Sequence, residues 1–199
     1  MPPIGSADQG TLPGLPDLPE GFRYHLNLVE EEDELSLIRE LERLDFSPFQ
    51  FHGFQGKRRV VSFGWRYDFN GGGLQMTDPF PLFLLPIRDA AAASFGLEGR
   101  TLEQALIIEY GPGASIGWHK DRPVFGDVIG ISLLSPCTFR FRRKIGMKWE
   151  RKRISAEPRS AYLLQGPSRY DWQHSIPAVS QKRYSITFRS LRDRPFQRQ

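Results

Sequence analysis

Hydrophobic residues in the first half of the chain are spaced as in amphipathic helices. Between residues 31 and 44 they recur every three or four positions, which predicts a helix. Its inward side chains are expected to be Leu35, Ile38, Leu41 and Leu44. A second helix is predicted over residues 82–95, and Gly96 is expected to end it. The side chains predicted to face inward from this helix are Leu85, Ala92 and Phe95.

From about residue 105 the pattern changes to short apolar or alternating stretches, which are typical of strands. Residues 138–142 alternate strictly, so Phe139 and Phe141 are expected inward and the arginines outward. This stretch is expected to form a hairpin with residues 149–154 through a turn at Gly146. Further strands are predicted at 22–26, 60–69, 106–110, 128–134, 160–164 and 183–189.

Many short antiparallel strands after two helices predict a mainly β fold with some α structure. We expect a double-stranded β-helix, or jelly roll, with the N-terminal helices packed on one side. Residues 1–20 are rich in Pro and Gly and are interpreted as a flexible tail, and residues 21–199 as a single domain. No apolar run is long enough to cross a membrane and Cys137 has no partner for a disulfide, so we expect a soluble cytoplasmic monomer that does not bind membranes.

Positive charge is concentrated in two places rather than spread evenly. The chain has 27 basic and 23 acidic residues, a net charge of +4 and a pI near 9.4. One cluster surrounds the predicted hairpin: Arg140, Arg142, Arg143, Lys144, Lys148, Arg151, Lys152 and Arg153. The other lies between residues 182 and 198. Such clusters indicate contact with a phosphate backbone, although Lys and Arg also protect exposed strand edges from aggregation.

The stretch from Tyr110 to Asp121 ends in a His-x-Asp sequence, His119-Lys120-Asp121, and a further histidine, His174, follows later in the chain. Two imidazoles and one carboxylate suit Fe(II) and leave open coordination positions. On a strand, His119 and Asp121 point the same way, and a loop would have to bring in His174. The alternative interpretation is an ordinary hydrogen-bonded pair of His and carboxylate.

Two arginines, Arg183 and Arg189, are six residues apart and therefore face the same side of a predicted strand. Burying them is costly unless each meets an anion, and a guanidinium binds a carboxylate with two hydrogen bonds. A dicarboxylate bound near the metal would satisfy both. The alternative is a solvated edge strand of a basic protein.

In order along the chain, these motifs resemble the AlkB family of Fe(II)/2-oxoglutarate dioxygenases. The matching segments are 110–114, 119–121, 168–175 and 183–189. The resemblance implies that the iron ligands are His119, Asp121 and His174. It also implies a 2-oxoglutarate site formed by Tyr110, Arg183, Ser185 and Arg189. Ser185 stands where the family's closing motif often has Asn, and Pro123 and Ile108 also depart from the family pattern.

The resemblance further implies the activity. With Fe(II), 2-oxoglutarate and O2, the family oxidatively demethylates N-alkylated nucleobases in DNA or RNA, which repairs alkylation damage. The residues expected to contact this substrate are Trp65, Tyr67 and Arg169, the first two by stacking on an extruded base. Two alternatives stay open: a dioxygenase of the same fold acting on a protein or small molecule, and a binding module without catalysis.

Overall fold

The computed structural model describes residues 17–51, 54–69 and 71–192. Most of the predicted tail, together with Asn70 of a predicted loop and Arg194 and Arg198 of the C-terminal basic cluster, lies outside the described residues. The domain boundary at residue 21, the monomeric state and the cytoplasmic location stay predictions. None of the helices in the described ranges has the length and apolar character needed to traverse a lipid bilayer.

The chain is built mainly from strands. Its helices are α1 Glu31–Glu42, α2 Leu84–Ser94 and the single turn α3 Pro167–Tyr170, with a short 3₁₀ turn at Gly99–Thr101. The first seven strands are β1 Phe22–His25, β2 Ser47–Phe51, β3 Phe54–Phe63, β4 Trp65–Asp68, β5 Gly73–Met76, β6 Leu102–Tyr110 and β7 Ile116–His119. The last six are β8 Phe125–Leu133, β9 Cys137–Ile145, β10 Lys148–Ala156, β11 Ala161–Leu164, β12 Gln173–Ile176 and β13 Arg183–Leu191.

Two antiparallel sheets form the body of the fold, and the predicted jelly roll is confirmed. The major sheet has seven strands in the order β1-β11-β8-β13-β6-β3-β2. The minor sheet has four, in the order β10-β9-β12-β7. A separate hairpin of β4 and β5 stands apart from both sheets. Pairing between strands distant in sequence, such as β6 with β13, brings the sequence motifs together.

The two faces of the major sheet pack against different partners. Ile108, Tyr110 and Val128 share a buried cluster with Phe139 and Phe141 of the minor sheet. The neighbouring residues on these strands point the other way because side chains alternate along a strand. They form a second buried cluster with both long helices: Ile107, Ile129, Leu37, Leu41, Leu84 and Ala92. The helices therefore contact the outer face of the major sheet, and the space between the sheets is left for the site.

The predicted inward faces of the helices were partly wrong. On α1, Leu37 and Leu41 are buried, whereas Leu35 is 55% exposed. Residues four apart lie on one face of a helix, and the buried stripe runs through Leu37 rather than Leu35. On α2 it is Leu84, not Leu85, that is fully buried. The element types and the other predicted inward residues are therefore confirmed, and only Leu35 and Leu85 were assigned wrongly.

The predicted strand over residues 60–69 is interrupted at Gly64. This glycine has φ +73, and a Cβ atom there would lie 2.1 Å from the carbonyl oxygen of Glu103. Only glycine accommodates both the left-handed backbone and the close approach. The break ends β3 and lets the β4–β5 hairpin turn away from the major sheet. By contrast, the predicted hairpin of β9 and β10 is confirmed, with Gly146 at φ +56 in its turn.

Candidate active site

The two histidines meet because their strands are neighbours in the minor sheet. His119 ends β7 and lies directly opposite His174 on β12. Their ring centroids are 4.3 Å apart. The prediction that a loop would supply His174 was wrong, since strand pairing supplies it. Antiparallel pairing holds the two imidazoles more firmly than a loop would, because both backbones are tied by hydrogen bonds.

The carboxylate of Asp121 reaches the same place from the loop after β7. Its Oδ2 atom is 3.5 Å from Nε2 of His174. Its Oδ1 atom accepts hydrogen bonds from Nε of Arg189 at 2.8 Å and lies 2.8 Å from Nη2 of the same guanidinium. The prediction that Asp121 lies on the same strand as His119 was therefore wrong, since β7 ends at His119. The carboxylate is oriented by Arg189 and not by the alternation of side chains along a strand.

Protonation at the site suits a cation. Nδ1 of His119 donates to the carbonyl oxygen of Gly117 at 2.9 Å, since a carbonyl can only accept, and this leaves the lone pair on Nε2. Burial lowers the pKa of His119, and burial together with the neighbouring His119 lowers the pKa of His174 to about 3. Burial alone would raise the pKa of Asp121, but Arg189 and the two histidines outweigh it and lower it. At neutral pH both imidazoles are neutral and the carboxylate is ionised.

These three side chains are the right ligand types for Fe(II). Within the ranges that the structure describes, no three His, Cys, Asp or Glu side chains form a ready-made ion cage. The close approach of His119, His174 and Asp121 supports the predicted iron site, which stays a prediction.

Arg183 carries the clearest sign of a missing partner. Its side chain is buried, at 2% exposure, and Nη2 donates to Oγ of Ser132 at 3.0 Å. Nε and Nη1 are buried and have no hydrogen-bond partner among the described residues. The Tyr110 ring lies against the guanidinium, 4.6 Å from Cζ to the centroid. An anion with two acceptor oxygens fits this site, as a carboxylate of 2-oxoglutarate would.

Ser185 and Arg189 lie on the same face of β13 as Arg183, as the spacing predicted. Ser185 hydrogen-bonds the buried hydroxyl of Tyr110, and burial raises the pKa of that tyrosine. Arg189 is already paired, since its Nη1 donates to Oε1 of Gln104 at 2.9 Å in addition to its contact with Asp121. The prediction that a dicarboxylate satisfies both arginines therefore fits Arg183 alone. The sequence analysis missed the roles of Gln104 and Ser132, because neither belongs to a recognisable motif. Strand pairing brings them next to Arg189 and Arg183.

A cavity of about 1800 Å³ opens above these residues. Tyr67 lines it and Trp65 does not, so only one of the two predicted stacking residues faces the site. The guanidinium of Arg122 lies over the rings of Tyr67 and Phe69, with Cζ 4.8 and 4.9 Å from their centroids. These contacts join the β4–β5 hairpin to the loop that carries Asp121.

Arg169 lines the cavity, as a substrate-binding residue would, but its guanidinium is bound to the protein itself. It is buried, at 2% exposure, and its guanidinium donates to four main-chain carbonyls. The acceptors belong to Asp121, Arg122, Phe125 and Gly126. These bonds occupy the donors that a phosphate contact would need. The geometry favours a structural role for Arg169, which fixes the backbone around Asp121 by hydrogen bonds.

The fold and the convergence of these side chains are typical of an iron-dependent oxygenase with an oxo-acid cosubstrate. Residues 21–189 match the 2OG-Fe(II) oxygenase superfamily, and the chain belongs to that superfamily, among its AlkB-like members. Fe(II), 2-oxoglutarate and O2 are the cofactor and cosubstrates that this membership implies.

Similar proteins agree with this assignment. The "Alkylated DNA repair protein ALKBH8 homolog" of Arabidopsis thaliana is 30% identical over 175 residues, covering 70% of this chain and 51% of that protein. The "tRNA (carboxymethyluridine(34)-5-O)-methyltransferase ALKBH8" of Mus musculus is 27% identical over 169 residues, covering 82% and 25%. The chain thus spans about half of the first relative and a quarter of the second. The solved structure of OsALKBH1 has the same fold, with a TM-score of 0.69 at 16% identity and coverage of 85% and 96%.

Proposed function

We propose that this oxygenase oxidatively demethylates N-alkylated bases of DNA or RNA. The observation that carries the proposal is the wide cavity beside Arg183, which is lined by aromatic rings and has more exposed cations than exposed carboxylates. The exposed charged residues that line it are Lys57, Arg66, Lys120 and Arg192 against Asp45 and Asp78. Such a surface suits a planar base attached to a negatively charged backbone.

Each part of the site has a task in this proposal. When bound, the iron together with 2-oxoglutarate and O2 supplies the oxidising power for hydroxylating a nearby C–H bond. His119, His174 and Asp121 hold the metal, and Arg183 holds the distal carboxylate of 2-oxoglutarate with its two unpaired donors. Arg189 orients the Asp121 carboxylate.

Substrate positioning falls to the hairpin and the loop beside it. Tyr67, steadied by Arg122, stacks on the base and keeps water from the reacting face. Hydroxylation of an N-methyl group gives a hemiaminal, which releases formaldehyde and restores the base. The names of the two relatives, which refer to DNA repair and to tRNA, support a nucleic-acid substrate for this chain as well.

The test is to incubate the protein with Fe(II), 2-oxoglutarate and ascorbate in air. Oligonucleotides of DNA and RNA carrying 1-methyladenine or 3-methylcytosine are offered, and loss of the methyl mass is read by mass spectrometry. We expect loss that depends on 2-oxoglutarate. Succinate formation without loss of any methyl mass would overturn the nucleobase proposal and favour a protein or small-molecule substrate for the same oxygenase.

A further inference from the structure

The outward face of the minor sheet carries cations and tryptophans from three of its four strands, β7, β9 and β10. Phe139, Phe141 and His174 point inward, so the alternate residues on their strands point outward. The register places Arg153 opposite Arg140 and Arg151 opposite Arg142 on this face. The face, called here the Trp–Arg face, consists of Trp118, Arg140, Arg142, Trp149, Arg151 and Arg153.

Two tryptophans hold a central arginine between them. The Cζ atom of Arg142 lies 4.5 Å from the ring centroid of Trp118 and 4.5 Å from that of Trp149. The Cζ atom of Arg140 lies 5.0 Å from the Trp118 ring. Hydrogen bonds fix both arginines, because Nε of Arg142 donates to Gln173 and Nε of Arg140 donates to Ser175. The cations are thus held in place before any ligand arrives.

Among the residues that the structure describes, no carboxylate forms an ion pair with the four arginines of this face. Glu150 is the only acidic residue on the four strands of the minor sheet, and it points to the opposite face. There it pairs with Nε of Arg143 at 2.6 Å and lies 3.6 Å from Nζ of Lys152. Like charges directly opposite one another on neighbouring strands destabilise a sheet. The four arginines of the Trp–Arg face therefore favour an external polyanion.

Protection of an edge strand does not account for the face. β10 is an edge of the minor sheet, and charged residues there discourage aggregation. Trp149 is on the same edge strand and is 40% exposed. An edge protected against aggregation would not be expected to expose a large apolar ring. Arg140 and Arg142 lie on β9, which is not an edge. The exposed indole ring of Trp149 and the half-buried ring of Trp118, beside fixed guanidinium groups, match a surface that stacks bases and pairs phosphates.

The Trp–Arg face also borders the candidate active site. Trp118 belongs to the face and also lines the cavity. Ser175, whose hydroxyl accepts a hydrogen bond from Arg140, lines the cavity as well. Sheet strands are about 4.8 Å apart, so the backbone of the minor sheet spans roughly 14 Å from β7 to β10. We propose that the Trp–Arg face binds the single-stranded nucleic acid that flanks the base in the cavity. This inference deepens the proposed function and rests on it.

The test compares paired variants in their binding of a labelled, unmodified 20-nucleotide single strand by fluorescence anisotropy. Arg151→Ser with Arg153→Ser removes two exposed charges from the face. A matched control, Arg39→Ser with Arg100→Ser, removes two exposed charges elsewhere. We expect the face variant to raise Kd five- to tenfold and the control less than twofold. The slope of log K against log salt should fall by roughly 1.4 for the face variant, at about 0.7 per lost phosphate contact.

Base stacking is tested separately with Trp149→Ala. We expect a rise in Kd of at least fivefold that does not change the salt slope, because no charge is lost. Thermal melts of each variant check that it is folded. Equal effects of the face and control pairs would overturn the inference, as would tight binding of phosphatidylglycerol vesicles without binding of the oligonucleotide. Binding does not need turnover, so an oligonucleotide that binds through this face but is not demethylated would refute the proposed function alone.

Discussion

At the scale of one residue, Arg183 is a buried cation whose incomplete hydrogen bonding lowers the stability of the protein and leaves donors for a ligand. A buried cation normally needs an anion or a full set of hydrogen bonds. Arg183 has Ser132 and the Tyr110 ring, while two of its donors have no partner in the described part of the chain. Arg189 differs, because Asp121 and Gln104 satisfy it within the protein. The unsatisfied arginine is the one that the cosubstrate is proposed to complete.

We predict that Arg183→Met stabilises the protein without cosubstrate and abolishes its response to 2-oxoglutarate. Replacing a poorly paired buried charge by an apolar side chain of similar size is expected to gain about 1–2 kcal/mol, or roughly 3–6 °C in Tm. The added rise in Tm with 2-oxoglutarate and a divalent metal should disappear. Differential scanning fluorimetry measures both effects.

Arg189→Met is the matched control and should have the opposite sign. It leaves the ionised Asp121 carboxylate and Gln104 without a donor, so Tm should fall. A lower Tm for Arg183→Met together with an unchanged response to 2-oxoglutarate would place the cosubstrate elsewhere.

At the scale of elements, the site depends on one loop between two strands. Asp121 lies after the end of β7, where side chains no longer alternate between the two faces of a sheet. Arg169, in α3 shortly before β12, donates to two carbonyls of this loop, those of Asp121 and Arg122, and to two at the start of β8. It therefore ties the loop to the segment that leads to His174. The loop is therefore held from behind by Arg169 and from the front by Arg189.

We predict that Arg169→Ala lowers the free energy of unfolding by about 3 kcal/mol, because it removes several hydrogen bonds from a charged donor. Arg192→Ala is the control, since Arg192 also lies over the Tyr170 ring but is exposed, and a change below about 0.5 kcal/mol is expected. Urea unfolding measures both. A stable Arg169→Ala protein with weakened oligonucleotide binding would instead support the original expectation of a backbone contact.

The β4–β5 hairpin gives a second test at this scale. Tyr67 lines the cavity and is stacked with Arg122, whereas Trp65 lies opposite Met76 and away from the cavity. We predict that Tyr67→Ala raises KM for a methylated oligonucleotide at least fivefold, while Trp65→Ala changes it less than twofold. Demethylation kinetics decide between them. A larger effect of Trp65→Ala would show that the end of the hairpin formed by Trp65 and Met76 contacts the base instead.

At the scale of the whole molecule, the sequence predicted the class of fold and the order of the motifs well. The jelly roll was visible because alternation and turn residues are local signals. Residues brought together by pairing, such as Gln104 with Arg189 or Ser132 with Arg183, were not visible, because no local pattern records them. The choice between Leu35 and Leu37 on α1 was wrong for a related reason, since both are equally apolar and only the packed sheet decides which is buried.

The most direct test of the account is the ratio of formaldehyde released to succinate formed with a methylated oligonucleotide. We predict a ratio near one for the unchanged protein and none of either product for His119→Ala. Normal values are expected for His25→Ala, which removes an exposed imidazole that does not line the cavity. Succinate without formaldehyde would contradict nucleobase demethylation. Undiminished turnover in His119→Ala would contradict the site itself.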